Sequence, residues 1–181
     1  FFKKLLPSIF SSGVMQINIL VGTIIASFQS SAVSYLYYAD RIYQLPLAIS
    51  GIAIGTVVLP VLSRSIASDT NERVLFLQNR SIELSIFLSA PAAVGIIVGA
   101  EEIISCLFGY GSFDQESIYN TSRALIIFGF GLPAFSLIKL YSNFYFARGD
   151  TNFPFKVSVF TVAMNILISL VFFENFGFLS I

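Results

Sequence analysis

The chain has 181 residues, of which 56% are hydrophobic and only 11% are charged, and its mean hydropathy is +0.83. Soluble globular domains carry roughly 25% charged residues, so this composition excludes an ordinary water-soluble fold. Ten basic and ten acidic residues give no net charge, and the chain has no His and one Cys. We therefore expect no nucleic-acid partner, no metal, no cofactor and no disulfide framework.

Five apolar stretches follow one another along the chain. Each is long enough to cross a bilayer as a helix, which takes about 20 apolar residues, and none alternates with the period of two that membrane strands show. They cover about residues 5–28, 33–62, 84–108, 118–146 and 155–173. The sequence predicts an all-α fold, a polytopic transmembrane helix bundle with about five membrane-spanning helices. Because the chain opens without Met and stops inside a new apolar stretch, we expect it to be part of a longer protein.

Basic residues lie at alternate ends of these stretches, a distribution that marks the cytoplasmic side of a membrane protein. Lys3 and Lys4 precede the first span, and Arg148 and Lys156 flank the turn before the fifth. Arg64, Arg73 and Arg80 fall between the second and third spans, where we expect a solvated cytoplasmic loop. The N-terminus of the chain is therefore predicted to be cytoplasmic, and Arg123 is the basic residue that departs from the pattern.

Ionisable residues at membrane depth usually face a bundle interior or a wet cavity. In the second span, Tyr37, Arg41 and Gln44 recur at helical spacing, with Asp40 pointing about 100° from Arg41. The arginine fork suits a phosphate or a carboxylate. These four residues are candidates for the lining of a hydrophilic cavity.

The fourth span contains a second polar stripe, formed by Ser136, Lys139 and Asn143. Lys139 lies near the middle of its span and is the second cationic candidate, and Arg123 of the same span is a further candidate for the cavity. The alternatives are that Arg41 and Arg123 anchor at an aqueous boundary, and that hydroxyl and amide residues only hold helices together.

Several strings in the chain resemble the MurJ (MviN) family of lipid II flippases, which act in bacterial cell-wall synthesis. The string of the second span is Tyr37-Tyr38-Ala39-Asp40-Arg41, Gln44-Leu45-Pro46, Gly51 to Thr56 and Leu59 to Ser63. The resemblance continues in Leu107 to Phe113, Arg123-Ala124-Leu125 and Tyr145 to Arg148. It covers essentially the whole chain and is specific as a joint pattern.

This resemblance implies a place in the multidrug/oligosaccharidyl-lipid/polysaccharide (MOP) exporter superfamily, whose members have two six-helix lobes around a central cavity. The chain would supply part of the C-terminal lobe, together with the remaining helices of the same full-length protein. Arg41 matches a cavity arginine and Lys139 a cavity lysine, both implied to engage the pyrophosphate of the lipid. Gln44 departs from the family pattern, which has an acidic residue there.

The function implied is transport of lipid II across the bacterial cytoplasmic (inner) membrane by alternating access, among membrane lipids. Two alternatives stay open at this point. One is a related exporter of drugs or of other polyprenyl-linked sugars, and the other is a non-transporting scaffold for cell-wall synthesis. An enzyme is not expected, because the sequence has no His and no clear pair of nucleophile and base.

Overall fold

The computed structural model describes residue 16 and residues 19–29, 31–68 and 71–180. Within these ranges all regular structure is helical. In chain order the elements are α1 at residues 19–26, α2 Ala32–Leu47, a π-helical turn Ala48–Ala53, α3 Ile54–Ala67, α4 Asn71–Phe108, α5 Gln115–Ala147, α6 Asn152–Phe176 and a 3₁₀ turn Gly177–Ser180.

Four helical stretches of the described part are long and apolar enough to cross a membrane. They are Ala32–Ala67, Asn71–Phe108, Gln115–Ala147 and Asn152–Ser169. Most of the first predicted span, residues 5–28, lies outside the described residues. The prediction of an all-α, polytopic membrane fold is confirmed.

The prediction of a loop between the second and third spans is wrong for most of that segment. α3 continues to Ala67 and α4 begins at Asn71, so Arg64, Arg73 and Arg80 all lie on helices. Hydropathy marks only the membrane-embedded part of a helix, and Arg, Gln and Glu are good helix formers in water. The helices therefore extend beyond the apolar stretch that reveals them.

The chain divides into two compact units. The central unit comprises Tyr35–Arg148, and the terminal unit comprises residues 1–34 together with Gly149–Ile181. In the terminal unit, the turn at Gly177 has a φ of +58° and lies against the Gln29 side chain. A side chain at Gly177 would be strained in this left-handed conformation.

The central unit packs α3, α4 and α5 against one another around an apolar core. Its buried side chains are Ile54, Leu62, Val74, Leu140 and Phe144. At the other end of the unit, Tyr38 of α2 packs on Phe108 and Phe113, with ring centroids 4.8 and 5.4 Å away. These rings attach α2 to the α4–α5 turn.

The π-helical turn joins α2 to α3 two residues after Pro46, where the missing proline N–H already disturbs the helical ladder. The N–H of Ile54 donates to the Gly51 carbonyl, one residue beyond the Ser50 carbonyl that a regular α-helix would use. Ser85 Oγ of α4 donates to that Ser50 carbonyl at 2.8 Å. The local change in helix geometry thus provides an acceptor for a neighbouring helix.

Three serines from three different segments meet at this turn. Ser50 Oγ donates to the Pro46 carbonyl at 2.8 Å and lies 2.7 Å from Ser136 Oγ of α5. Because a hydroxyl has one hydrogen, Ser136 is the donor to Ser50. Ser50 and Ser136 are 1% and 0% exposed. We call Ser50, Ser85 and Ser136 the serine seam.

Gly51 and Gly55 both lie close to α5. A Cβ at Gly51 would lie 3.1 Å from Ser136 Cα, and one at Gly55 would overlap the Asn143 amide at 2.1 Å. The pair Gly95 and Gly99 behaves differently, since a Cβ at Gly95 would meet nothing within 4 Å. Only the first pair has a partner helix against it in the described part of the chain.

Candidate substrate-binding face

One face of α2 carries the four polar side chains that the sequence singled out. They are Tyr37, Asp40, Arg41 and Gln44, named here the α2 polar face. On an ideal helix they fall within an arc of about 100°. The opposite face contributes to the interior of the fold, with buried Tyr35, Ala39, Tyr43 and Leu47. The helix is therefore amphipathic, with a packed side and an open polar side.

Arg41 is exposed and is held by a residue of its own helix. Its Nη2 donates to Tyr37 Oη at 2.8 Å, and its guanidinium carbon lies 4.6 Å from the centroid of the Tyr37 ring. The two residues are separated by one turn, the spacing at which side chains of a helix meet. A hydrogen bond and a cation–π contact thus fix the direction of the cation without neutralising it.

Asp40 does not pair with Arg41. Its Oδ2 accepts a hydrogen bond from Gln44 Nε2, one turn further along α2. Among the described residues the ion pair within 4.0 Å is Arg80 with Glu83, at 3.1 Å. Arg41 therefore makes no ion pair within 4.0 Å with a described carboxylate.

Tyr43 anchors the packed side of α2 on α5. Its ring lies 5.5 Å from that of Phe128 and 6.0 Å from that of Phe135, and the residue is 7% exposed. Arg41 is two residues away in sequence and points about 160° from Tyr43 on an ideal helix. The polar face is therefore directed away from the packed interior of the central unit.

Lys139 lies on an exposed strip of α5, while the other two members of its predicted stripe make helix contacts. Ser136 belongs to the serine seam, and Asn143 packs against Gly55. The alternative that hydroxyl and amide residues hold helices together therefore describes Ser136 and Asn143. Lys139 is therefore the member of the stripe whose side chain is exposed.

Arg41 and Lys139 lie at different depths. α2–α3 and α5 run parallel, since Tyr43 meets Phe128 and Phe135, and Ser50 meets Ser136. Arg41 precedes Ser50 by nine residues and Lys139 follows Ser136 by three. At 1.5 Å per helical residue, their levels differ by about 18 Å. The structure does not bring the two predicted cationic residues together.

Arg123 repeats the arrangement of Arg41 on another helix. Its guanidinium carbon lies 5.6 Å from the ring centroid of Tyr119, one turn before it on α5. Arg123 is exposed and points about 160° away from Lys139 on an ideal helix. It therefore lies apart from both Lys139 and the packed side of α5. In the described part of the chain, no group of three His, Cys, Asp or Glu side chains could hold a metal ion.

These features define a polytopic membrane protein with a transporter-like architecture. They are the long apolar helices, the hydroxyl contacts between them and the charged side chains on an open helix face. A model of the family described as "Lipid II flippase MurJ" matches residues 1–181. The chain belongs to this family, which is one of transporters and not of enzymes.

Known relatives agree with this assignment. A probable lipid II flippase MurJ of Rhizobium meliloti is 45% identical over 94% of this chain and 32% of its own length. A solved structure described as lipid II flippase MurJ in an inward closed conformation matches with a TM-score of 0.87 and 28% identity, over 97% of this chain and 37% of that one. The chain spans about a third of the length of these relatives.

A more distant structure shares the fold alone. An outward-facing multidrug resistance transporter of the MATE family, in the MOP superfamily, matches with a TM-score of 0.83 at 15% identity, over 97% of this chain and 38% of that one. The chain therefore has the predicted fold, that of MOP-type transporters.

Proposed function

We propose that the full-length protein containing this chain transports lipid II, the undecaprenyl-pyrophosphate-linked precursor of peptidoglycan, across the bacterial cytoplasmic membrane by alternating access. The family assignment and the identification of the relatives as lipid II flippases support this substrate. The sugar-peptide head group has many polar groups, and each would lose its hydrogen bonds in hydrocarbon. A polar path between the two lobes avoids that penalty. This chain contributes helices to the C-terminal lobe.

The observation that carries the proposal is the state of Arg41. Its guanidinium is exposed, oriented by Tyr37 and not paired with Asp40. A planar cation held in this way can donate two parallel hydrogen bonds to a phosphate. The packed side of α2 is already occupied by Tyr43 and its aromatic partners, so the polar face is the side of this helix available to a substrate.

The depth difference gives the two cations separate roles. Since their levels differ by about 18 Å, one diphosphate does not bind both in the geometry observed. Lys139 lies close to the level of the serine seam, near the centre of the Ala32–Ala67 span, and Arg41 lies toward the other end of the path. We assign them to successive positions of the pyrophosphate, Lys139 near the membrane centre and Arg41 nearer the outer surface.

The orientation follows from the basic residues. Arg64, Arg73, Arg148 and Lys156 all lie at helix ends that a cytoplasmic N-terminus would place on the inner side. With that orientation, α2 starts at the outer surface and α3 ends in the cytoplasm. Arg123 then lies near the outer boundary, where stacking on Tyr119 is consistent with an anchor.

The test is lipid II flipping by the reconstituted full-length protein with Arg41→Gln. We expect a loss of about tenfold or more, the loss typical when a charged hydrogen-bond partner is removed. Arg41→Lys keeps the charge without the fork and should lose less. Arg80→Gln removes an arginine that is already paired with Glu83 and is the matched control. If Arg41 is only an interfacial anchor, Arg41→Gln will flip lipid II at the normal rate, which would reject the assignment.

A further inference from the structure

A polar cleft lies at the junction of α3 and α4, away from the α2 polar face. It has a volume of about 350 Å³ and is lined by Val61, Arg64, Ser65, Ser68 and Arg73. We call it the α3–α4 cleft. Val61, Arg64, Ser65 and Ser68 recur every three or four residues and therefore share one face of α3. Arg73 contributes from the first turns of α4.

Two guanidinium groups line this cleft. In the described part of the chain, neither Arg64 nor Arg73 makes an ion pair within 4.0 Å, whereas Arg80, two turns further along α4, pairs with Glu83. Glu72 neighbours Arg73 in sequence and does not line the cleft. The cleft therefore concentrates positive charge and is suited to an anion.

The serines supply space rather than extra donors. Ser65 Oγ donates to the Val61 carbonyl at 3.1 Å, and Ser68 Oγ donates to the Ser65 carbonyl at 3.1 Å. Their hydroxyl hydrogens are committed to the backbone of α3, and their small side chains leave the groove between the helices open. The hydrogen bonds to a ligand would therefore come from the two arginine forks, which match phosphate geometry.

The cleft changes from polar to apolar along α3. Arg64, Ser65 and Ser68 lie in the last turns, and Val61 lies a turn further into the apolar part of the Ala32–Ala67 span. A free phosphate would use only the charged end. A phospholipid would place its phosphodiester at the arginines and its acyl chains along the apolar side, which matches the whole gradient.

We propose that the α3–α4 cleft binds the phosphodiester head group of an anionic membrane phospholipid, such as phosphatidylglycerol, through Arg64 and Arg73. Basic pockets between transmembrane helices near an aqueous boundary recognise such lipids. Bound lipid would fill the groove between the ends of α3 and α4. This site is separate from the path assigned to lipid II, and it does not depend on the substrate that the protein transports.

The experiment counts lipids retained by the full-length protein in mixed micelles, using native mass spectrometry with phosphatidylglycerol or phosphatidylcholine. We expect Arg64→Gln with Arg73→Gln to weaken retention of phosphatidylglycerol about tenfold or more, and to leave phosphatidylcholine unchanged. The control is Arg80→Gln with Lys156→Gln, which removes the same charge elsewhere and should change retention less than about twofold.

Each other result overturns the proposal. Equal losses in the two double variants would mean diffuse attraction by surface charge, and no loss in either would mean that the cleft is empty. Displacement of phosphatidylglycerol by an equal concentration of inorganic phosphate would identify a site for a free anion. Should the Gln variant not fold, Arg64→Lys with Arg73→Lys keeps the charge and removes the forks, and it must still lose phosphatidylglycerol about threefold or more.

Discussion

Ser50 of the serine seam and the α2 polar face belong to the same continuous helical stretch, Ala32–Ala67, but their polar groups have opposite surroundings. In the seam, Ser50 is buried and accepts hydrogen bonds from two other helices. On the polar face, Arg41 is exposed, and its hydrogen bond and its cation–π contact both go to Tyr37 of its own helix. Small hydroxyl groups therefore join helices, while the charged group remains free to meet a ligand.

The substitution with the largest expected effect on stability disrupts the serine seam and leaves the α2 polar face unchanged. Gly51→Val would push its Cβ onto Ser136 Cα, which is 3.1 Å away and belongs to the backbone of α5. Because a backbone cannot move aside as a flexible side chain can, we expect a destabilisation of about 3 kcal/mol, at the upper end for overpacking. The free energy of unfolding of the full-length protein in detergent, measured by titration with a denaturing detergent, checks this value.

Gly95→Val is the matched control, since a Cβ there meets nothing within 4 Å. It introduces the same side chain into a helix of the same unit and should change the free energy of unfolding by about 0.5 kcal/mol or less. Similar losses in both variants would show that valine disturbs the helix itself, and that Gly51 has no special contact with α5.

The two regions also differ in how well they could be predicted. Length and hydropathy are sufficient to predict membrane helices, and helical spacing is sufficient to predict the shared face of Tyr37, Arg41 and Gln44. The partner of a buried hydroxyl depends on which helices are neighbours, so the contacts of Ser50 with Ser85 and Ser136 could not be derived. For the same reason helical spacing groups Ser136 with Lys139, although the packing of α5 separates them.

The predicted loop shows a second limit of sequence patterns. Arg64 and Arg73 lie on helices, because helices end where capping and turns end them and not where hydropathy falls. The depth difference between Arg41 and Lys139 needs the register between α2–α3 and α5. That register is visible only once Tyr43 and Ser50 are placed against α5.

A smaller loss of stability is expected when one hydroxyl of the serine seam is removed. Ser50→Ala removes the acceptor of Ser136 Oγ and leaves that hydroxyl buried without it, whereas Ser136→Ala removes only a donor to Ser50. We expect about 1 kcal/mol for Ser50→Ala and less for Ser136→Ala. Ser142→Ala is the control, because Ser142 Oγ bonds to Ile138 within its own helix. The unfolding titration in detergent orders the three variants, and a larger loss at Ser136 would contradict the assigned direction of donation.

On the polar face, the contributions of the Tyr37 ring and the Tyr37 hydroxyl to holding Arg41 can be measured separately. Tyr37→Phe keeps the ring at 4.6 Å and removes the 2.8 Å hydrogen bond, while Tyr37→Leu removes both. We expect flipping of lipid II to fall about twofold in the first variant and about threefold to fivefold in the second, at unchanged stability. Equal rates in Tyr37→Leu and the parent would show that Arg41 needs no support from this residue.

The smallest effect concerns the end of α5, outside both regions. Asp114 caps this helix by accepting the Ser117 N–H at 2.9 Å, and the side-chain and backbone hydrogen bonds with Ser117 lower the pKa of Asp114 from its ordinary value. A lowered pKa means that the cap stabilises the helix end above the ordinary pKa of Asp, near 3.9, and that this contribution is lost as the pH falls through the lowered value.

Hydrogen exchange at the Ser117 amide, corrected for intrinsic rates, should therefore show protection that weakens under acid conditions. In Asp114→Asn the amide oxygen still caps but does not titrate, so the pH dependence should disappear while protection at neutral pH remains. An unchanged acid dependence in that variant would place the titrating group elsewhere.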